Sequence, residues 1–154
     1  SAMTMTGNTE DIIRDTTPSY LEIVEFIGNY GVDVESNLHQ LWRRIVFNIA
    51  ISNTDDHLRN HGFILTEKGW ILSPAYDLNP SIEKEGLSLN IDMDDNALSF
   101  DLAKSVGVYF RLNDTEMNAI LTDVLTVVKD WKAVAKHIGI KNSEVTLMSA
   151  AFSK

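Results

Sequence analysis

Hydrophobic residues recur every three to four positions along most of the chain, which is the spacing that gives an α-helix one apolar face. The first such stretch begins at Pro18, because proline suits the first turn of a helix, and it ends between Gly28 and Gly31. The next stretch predicts a helix over residues 33–52, with Asp33 as its N-cap. Four further helices are predicted near the C-terminus, over residues 99–106, 114–130, 131–138 and 143–152, with Asp114 and Ser143 as caps.

The middle of the chain lacks the helical period. Residues 53–61 form a polar run of nine residues. Two short apolar stretches then flank the sequence TEKG at residues 66–69, which predicts a β-hairpin with glycine at its turn. Residues 73–81 contain two prolines and are predicted to be a loop, and weak alternation over residues 87–91 predicts another short strand. The expected fold is therefore mainly α with a small inserted β-hairpin.

The first 17 residues are polar and rich in threonine, so we expect a loose arm with at most a short helix over residues 11–15. The opening Ser1-Ala2-Met3 is typical of a cloning remnant, because the chain starts with serine, and no functional role is expected for it. A natural protein that extends further upstream is then expected. The functional domain is predicted to cover residues 18–154.

A chain of 154 residues with 44% hydrophobic residues is large enough for one domain with a packed core. It contains no cysteine, which excludes disulfides, zinc–thiolate sites and a cysteine nucleophile. No stretch approaches the roughly 20 apolar residues of a membrane span, and no signal peptide is visible, so we expect a cytoplasmic protein without membrane contact. The formal charge of −9 argues against direct nucleic-acid binding, although a divalent metal can still bridge an acidic domain to nucleotide phosphates.

Three polar residues around the predicted hairpin indicate a specific chemistry. Asp55 and Asn60 lie five residues apart before the hairpin, and Asp77 follows it. This is the layout of a kinase catalytic centre, in which a carboxylate accepts the proton of the attacking hydroxyl and oxygen ligands hold Mg²⁺ against the phosphates of ATP. Asp55 would be the base, and Asn60 and Asp77 the metal ligands. The hairpin would bring the two loops side by side.

The sequence DDHLRN at residues 55–60 fits the pattern D-x-H-x-x-N, which lipid kinases of the phosphoinositide type share with HipA-like kinases. The longer stretches NTDDHLRNHGF at residues 53–63 and LSPAYDLNP at residues 72–80 resemble the HipA family closely. The resemblance is strongest over residues 42–81. It implies the C-terminal lobe of a Ser/Thr protein kinase that uses ATP and Mg²⁺.

The resemblance also implies roles for single residues. Asp55 matches the catalytic aspartate of the family, and Asn60 and Asp77 match its metal-binding positions. His57 matches the histidine of the motif, which supports the loop at the nucleotide site. Leu78 follows Asp77 in place of the phenylalanine of a D-F-G triplet, as is normal in HipA-like sequences. The implied partners are a protein substrate with a Ser or Thr hydroxyl and a small DNA-binding antitoxin.

The residues that would grip the phosphates are not recognisable in this sequence. None of its eight glycines belongs to a G-x-G or Walker pattern. Lys68 lies at the predicted hairpin turn and Lys84 in a polar loop, so neither has the strand context of a kinase lysine. The HipA family carries these parts in its N-terminal half. We therefore expect this chain to be half of an active site and to be inactive as an isolated fragment.

Two other functions are compatible with the same residues. A metal-dependent phosphohydrolase could draw a two-metal centre from Asp55, Asp56, His57 and Asp77. A pseudokinase-like module would bind a partner without chemistry.

Several nearby polar residues have simpler interpretations. Asp56 is expected to be solvated or to act as a cap, Arg59 to form an ion pair and His61 to make a loop contact. The acidic run at residues 92–95 lacks the glycine and glutamate of a calcium-binding EF-hand and is predicted to be a solvated loop. The three tryptophans are predicted to be core anchors, at positions Trp42, Trp70 and Trp131.

Overall fold

A computed structural model describes residues 1–154, and its secondary structure confirms a mainly α fold with one β-hairpin. In chain order the elements are α1 (Ala2–Met5), α2 (Glu10–Asp15), α3 (Tyr20–Tyr30), α4 (Val34–Ala50), β1 (Phe63–Thr66), β2 (Gly69–Leu72), α5 (Phe100–Ser105), α6 (Asp114–Lys129), α7 (Trp131–His137) and α8 (Asn142–Met148). Three short 3₁₀ turns lie at Leu58–Asn60, Gly107–Phe110 and Ser149–Phe152. None of the helices is long and apolar enough to cross a lipid bilayer.

Helix α4 is the centre of the fold. It packs against α3, α5, α6 and β2, and its apolar stripe is buried at the positions that the helical period predicts. Trp42 on this stripe is fully buried, and its indole nitrogen donates to the carbonyl oxygen of Ala103 in α5 at 2.9 Å. A buried indole needs such a partner, because an unpaired N–H in the core is costly. Trp42 is thus the core anchor that the sequence predicts, whereas Trp70 and Trp131 are half-buried.

The predicted N-cap residues do not cap their helices, although they lie within about two residues of the helix starts. Asp33 precedes α4 in the left-handed region, at φ 50°, and its side chain caps nothing. The cap of α6 is Asn113, which exchanges hydrogen bonds with Glu116, so Asp114 is the first helical residue rather than the cap. Ser143 likewise lies inside α8. The sequence places these three helices correctly because apolar spacing determines their buried faces, whereas neighbouring polar residues compete for the cap.

The hairpin forms where predicted. Its strands are antiparallel, with Phe63 opposite Leu72 and Thr66 opposite Gly69, and the backbone N–H of Ser73 extends the pairing to the carbonyl of Gly62 at 2.9 Å. The strand predicted over residues 87–91 does not form. Leu87, Leu89 and Ile91 are buried there, but the backbone of this part of the chain pairs with other segments only through isolated bridges. Its alternation reflects burial of one side rather than membership in a sheet.

The N-terminal residues contain more helix than the loose arm that their composition predicts, and the possible short helix over residues 11–15 forms as part of α2. Two short helices, α1 and α2, occupy most of residues 1–17. Ala2 is fully buried, and its backbone N–H donates to the carbonyl of His61 at 2.7 Å. The polar composition gives no hint of this contact, because it depends on one small apolar residue and on backbone hydrogen bonds.

The C-terminal residues pack beside the end of α4. Trp131 stacks on Phe152 with ring centroids 4.1 Å apart. The hydroxyl of Ser52, just after α4, donates to the carbonyl oxygen of Ala151 at 2.8 Å. The segment that follows α4 is therefore fixed both by its connection to α4 and by a hydrogen bond to the C-terminal residues.

Candidate active site

The polar loop after α4 begins with a reversal of the backbone. Ser52 lies in the left-handed region at φ 51°, and its N–H still bonds to the carbonyl of Ile49. The loop then runs through residues 53–57 into the 3₁₀ turn Leu58–Asn60. Asn53 and Thr54 are buried, whereas Asp55 is exposed. One short segment thus places neighbouring polar side chains on opposite sides, into the core and into solvent.

Asp56 is buried, which corrects the expectation that it is solvated or a cap. Its side chain is only 1% exposed, and its Oδ2 accepts hydrogen bonds from three side chains. The donors are the Tyr20 hydroxyl at 2.5 Å, the Asn48 amide at 2.8 Å and the His61 Nε2 at 2.9 Å. A buried carboxylate is tolerated only when donors replace the water it has lost, and these three do so.

The partners of Asp56 come from three parts of the chain and form a connected network. Tyr20 opens α3, Asn48 lies near the end of α4, and His61 closes the polar loop. Asn53 extends the network by donating to Asn48 Oδ1 at 3.0 Å. Burial and the Asp56 carboxylate together hold the pKa of the Tyr20 phenol well above its usual value of 10.0, so Tyr20 remains a donor at neutral pH.

Asp55 has the opposite environment. Its side chain is 76% exposed, and the only charged group paired with it is Lys84, whose Nζ lies 3.7 Å from its Oδ1. An exposed carboxylate is accessible to a substrate and can accept a proton from an incoming hydroxyl. This geometry is compatible with the role of base that the sequence predicts.

Asn60 and His57 line the turn that follows. Asn60 is buried, with its backbone N–H bonded to the His57 carbonyl at 2.8 Å and its side-chain amide 3.5 Å from the Asp55 carbonyl. The side-chain nitrogen therefore faces the protein, which leaves the side-chain oxygen for a ligand. His57 is half-buried, and its Nδ1 is buried without a hydrogen-bond partner.

The loop after the hairpin carries Asp77, an exposed residue with left-handed backbone at φ 58°. One of its carboxylate oxygens accepts a hydrogen bond from Asn79 at 2.7 Å. A non-glycine residue in this region is strained, and such residues cluster at functional sites. The start of this loop is anchored to α4, because the buried guanidinium of Arg44 donates to the carbonyl of Ser73.

Two contacts hold the loops against each other. The Tyr76 hydroxyl donates to the Arg59 carbonyl at 2.7 Å, which joins the residue before Asp77 to the residue before Asn60. Gly62 lies between the loops, and a Cβ there would come within 2.8 Å of the Ser73 hydroxyl oxygen and 3.5 Å of the Tyr76 ring. A side chain at residue 62 would force Ser73 to move, so glycine favours this close approach of the loops.

The donor set suits Mg²⁺, which usually binds one or two protein carboxylates and completes its shell with water and phosphate oxygens. Asp77 offers one carboxylate and Asn60 one amide oxygen. No group of three or more histidine, aspartate or glutamate side chains converges on a common point. A metal at this site would therefore depend on ligands from a bound nucleotide.

Other residues near the loop follow their simpler interpretations. Arg59 forms the predicted ion pair, with Glu10 of α2. In the acidic run, Asp92 accepts hydrogen bonds from the backbone N–H groups of Asp94 and Asp95, which hold the pKa of its carboxyl below the usual value. The latter two aspartates are exposed, as predicted for a solvated loop.

The network around Asp56 is the part of the site that sequence reasoning misses. Its one sequence clue is Asn48, which interrupts the apolar run from Ile45 to Ile51. A polar residue on a buried face needs a buried partner, so Asn48 indicates that some loop residue must turn inward. Nothing in the sequence shows that the partner is Asp56 rather than Asp55.

Comparison with known families agrees with this description. The model of the HipA-like C-terminal domain matches residues 1–131 of the chain. No curated protein gives a significant match. Because the family match covers most of the 154 residues and includes both loops of the candidate site, the chain belongs to the family of HipA-like C-terminal domains.

Proposed function

We propose that this chain is the catalytic and Mg²⁺-binding lobe of a HipA-like, ATP-dependent Ser/Thr protein kinase. The observation that carries the proposal is the hydrogen bond from Tyr76 to Arg59, which keeps the loop of Asp77 beside the loop of Asn60. The exposed carboxylate of Asp55 belongs to the same loop as Asn60 and precedes it by five residues. A base next to a pair of oxygen ligands is what phosphoryl transfer requires of this part of a kinase.

The chain's own residues would act in a simple order. Asp55 orients the Ser or Thr hydroxyl of a protein substrate and accepts its proton while the hydroxyl oxygen attacks the γ-phosphorus of ATP. Asn60 and Asp77 would hold Mg²⁺, which neutralises charge on the phosphate oxygens when it is bound. The network around Asp56 keeps the loop in place, because Asp56 follows Asp55 directly and His61 follows Asn60.

The remaining parts of the proposal concern the rest of the protein. No glycine-rich phosphate loop lies among these 154 residues, so we propose that another lobe grips the nucleotide and that this fragment alone does not turn over ATP. The cellular role proposed for the whole protein is that of a cytoplasmic toxin restrained by a small DNA-binding antitoxin. Membership in the HipA-like family supports this role.

The test uses the full-length natural protein that contains this chain. Transfer of phosphate from γ-labelled ATP to protein is measured for the wild type, Asp55→Asn and Asp77→Asn. We expect Asp55→Asn to lower the rate by about 10²- to 10⁴-fold, the usual contribution of a positioned base. Asp94→Asn is the matched control, because it removes the same charge at an exposed position outside the loops. Retention of wild-type activity by Asp55→Asn would overturn the assignment.

A second measurement concerns the metal. In the full-length protein, Asp77→Asn should raise the Mg²⁺ concentration needed for half-maximal phosphate transfer, because one of the two protein ligands is lost. An unchanged Mg²⁺ requirement contradicts the metal role of Asp77. It leaves the role of Asp55 to be judged by its own variant.

The geometry does not favour a two-metal phosphohydrolase. Such a centre would use Asp56 together with Asp55, His57 and Asp77, but the Oδ2 of Asp56 is buried and bonded to three donors. Mn²⁺-dependent phosphate release from a simple phosphodiester would revive that alternative. A pseudokinase-like module is distinguished by the kinase assay itself, because it binds its partner without any transfer of phosphate.

A further inference from the structure

The segment that carries Lys84 is held close to the proposed base by one hydrogen bond on each side of the lysine. The N–H of Ser81 donates to the carbonyl of Ser52 at 3.1 Å, and the hydroxyl of Ser88 donates to the carbonyl of Thr54 at 2.7 Å. These bonds attach the segment 81–88 to Ser52 and Thr54, which lie three residues and one residue before Asp55. Lys84 lies between them, and its Nζ is 3.7 Å from the Asp55 carboxylate. Its position near the base is thus a consequence of how the two loops are joined.

The ion pair itself contributes little to folding. The two side chains are 55% and 76% exposed, and exposed pairs of this kind are screened by water and salt. The backbone and hydroxyl bonds at Ser81 and Ser88 would keep the segment in place without the ammonium group. The ammonium of Lys84 is therefore free to act on a substrate beside the candidate catalytic carboxylate.

We propose that Lys84 is a catalytic residue of the kinase. Its ammonium group binds the oxygens of the phosphoryl group during transfer. This inference rests on the function proposed above. A base that is itself negative repels the phosphates of ATP, and a cation beside it offsets that repulsion. In the structure Lys84 is the cation that pairs with Asp55, so its ammonium lies next to the place where the reacting hydroxyl would sit.

The step is balanced without any further reactant. The hydroxyl oxygen of the substrate forms a bond to the γ-phosphorus of ATP, and the bond from that phosphorus to the bridging oxygen of ADP breaks, with its electron pair leaving on ADP. The hydroxyl proton passes to Asp55. Lys84 keeps its protons and donates hydrogen bonds to the phosphoryl oxygens, where charge must be stabilised in the transition state.

The opposite role would have the opposite effect on the rate. If Lys84 instead holds Asp55 in an inactive ion pair, removal of the ammonium would free the base and raise the rate. The direction of the change in the variant therefore decides between a catalytic and an inhibitory lysine.

The experiment compares Lys84→Gln and Lys84→Arg with the wild type in the full-length protein, with γ-labelled ATP as the probe. We expect Lys84→Gln to lower kcat for phosphate transfer by about 10²-fold or more, as loss of one transition-state donor does elsewhere. The KM for ATP should rise by a smaller factor than kcat falls, because the ammonium also offsets the repulsion between Asp55 and the phosphates of bound ATP. Lys84→Arg keeps the charge and should recover part of the rate. Lys68→Gln, at the exposed hairpin turn, is the matched control and should match the wild type.

The outcomes separate the two proposals. If the wild type is active, Asp55→Asn is inactive and Lys84→Gln equals or exceeds the wild type, the role of Lys84 is wrong and the kinase assignment stands. If the wild type transfers no phosphate, or if Asp55→Asn is fully active, both proposals fall. Equal thermal midpoints of the wild type and Lys84→Gln are required as well, since a folding defect would lower the rate by itself.

Discussion

Asp55 and Asp56 are adjacent and carry the same side chain, but the structure treats them in opposite ways. Asp56 is 1% exposed and accepts three hydrogen bonds on one oxygen. Asp55 is 76% exposed and has a single, loose partner in Lys84. The difference arises from the backbone, which turns at Ser52 and directs successive side chains to the core and to solvent.

The comparison shows how one loop can contain both a buried anchor and an exposed carboxylate. The buried carboxylate joins α3, α4 and the end of the loop through Tyr20, Asn48 and His61. Asp56 and His61 stand next to Asp55 and Asn60, so the network holds the backbone of both proposed functional residues. Asp55 itself is left free to meet a substrate. The two aspartates should therefore respond very differently to substitution.

The largest effect is expected for Asp56→Ala. The substitution leaves three buried donors without their acceptor, and each unsatisfied group costs about 1–3 kcal/mol. We expect the free energy of unfolding to fall by about 3–5 kcal/mol, as when one partner of a buried pair is removed. Chemical denaturation of the 154-residue chain measures it.

Asp94→Ala is the control for Asp56→Ala, because it makes the same change at an exposed position and should alter stability by less than about 0.5 kcal/mol. Asp56→Asn retains an acceptor oxygen and should lie between the two. A loss below about 1 kcal/mol in Asp56→Ala would mean that the network does not support the loop.

A smaller effect is expected for Tyr20→Phe, which removes one of the three donors but leaves the ring in place. A hydrogen bond to a charged group contributes about 1.5–3 kcal/mol, and the free energy of unfolding at pH 7 should fall by that amount. The pKa of Tyr20 is raised in the folded state by burial and by Asp56, so folding favours the protonated phenol. Its contribution is complete below about pH 10, the pKa of an unfolded tyrosine, and declines above it.

The pH dependence gives a sharper test than the single value. Between pH 10 and 11 the wild type should lose up to about 1.4 kcal/mol of unfolding free energy more than Tyr20→Phe does, because Tyr20 must keep a proton that the unfolded chain releases. Chemical denaturation of both proteins at several pH values measures the gap between them. Parallel curves over this range would show that burial and Asp56 do not raise the pKa of Tyr20 in the folded protein.

The sequence predicts the helices and the hairpin well because apolar spacing controls both. Helix α4 and strands β1 and β2 lie within about two residues of their predicted positions. The prediction from the sequence is wrong for the burial of Asp56, for the cap at Asp33 and for the strand over residues 87–91. In each case the outcome depends on which way a side chain turns or on which distant segment pairs with it. These are tertiary choices, and local patterns do not encode them. The HipA-like motif locates the candidate site but does not tell its exposed aspartate from its buried one.

The smallest effect on stability is expected for Asp55→Asn. A small effect allows loss of activity to be separated from loss of folding. Exposed ion pairs contribute about 0.2–1 kcal/mol, so loss of the pair with Lys84 should change the unfolding free energy by no more than about 0.5 kcal/mol. The same substitution is expected to remove most of the phosphate transfer in the full-length protein. A large loss of activity with unchanged stability assigns Asp55 to chemistry. If Asp55→Asn instead destabilised the chain as strongly as Asp56→Ala, the two neighbours would share one structural role, and the lost activity would report only the collapse of the loop.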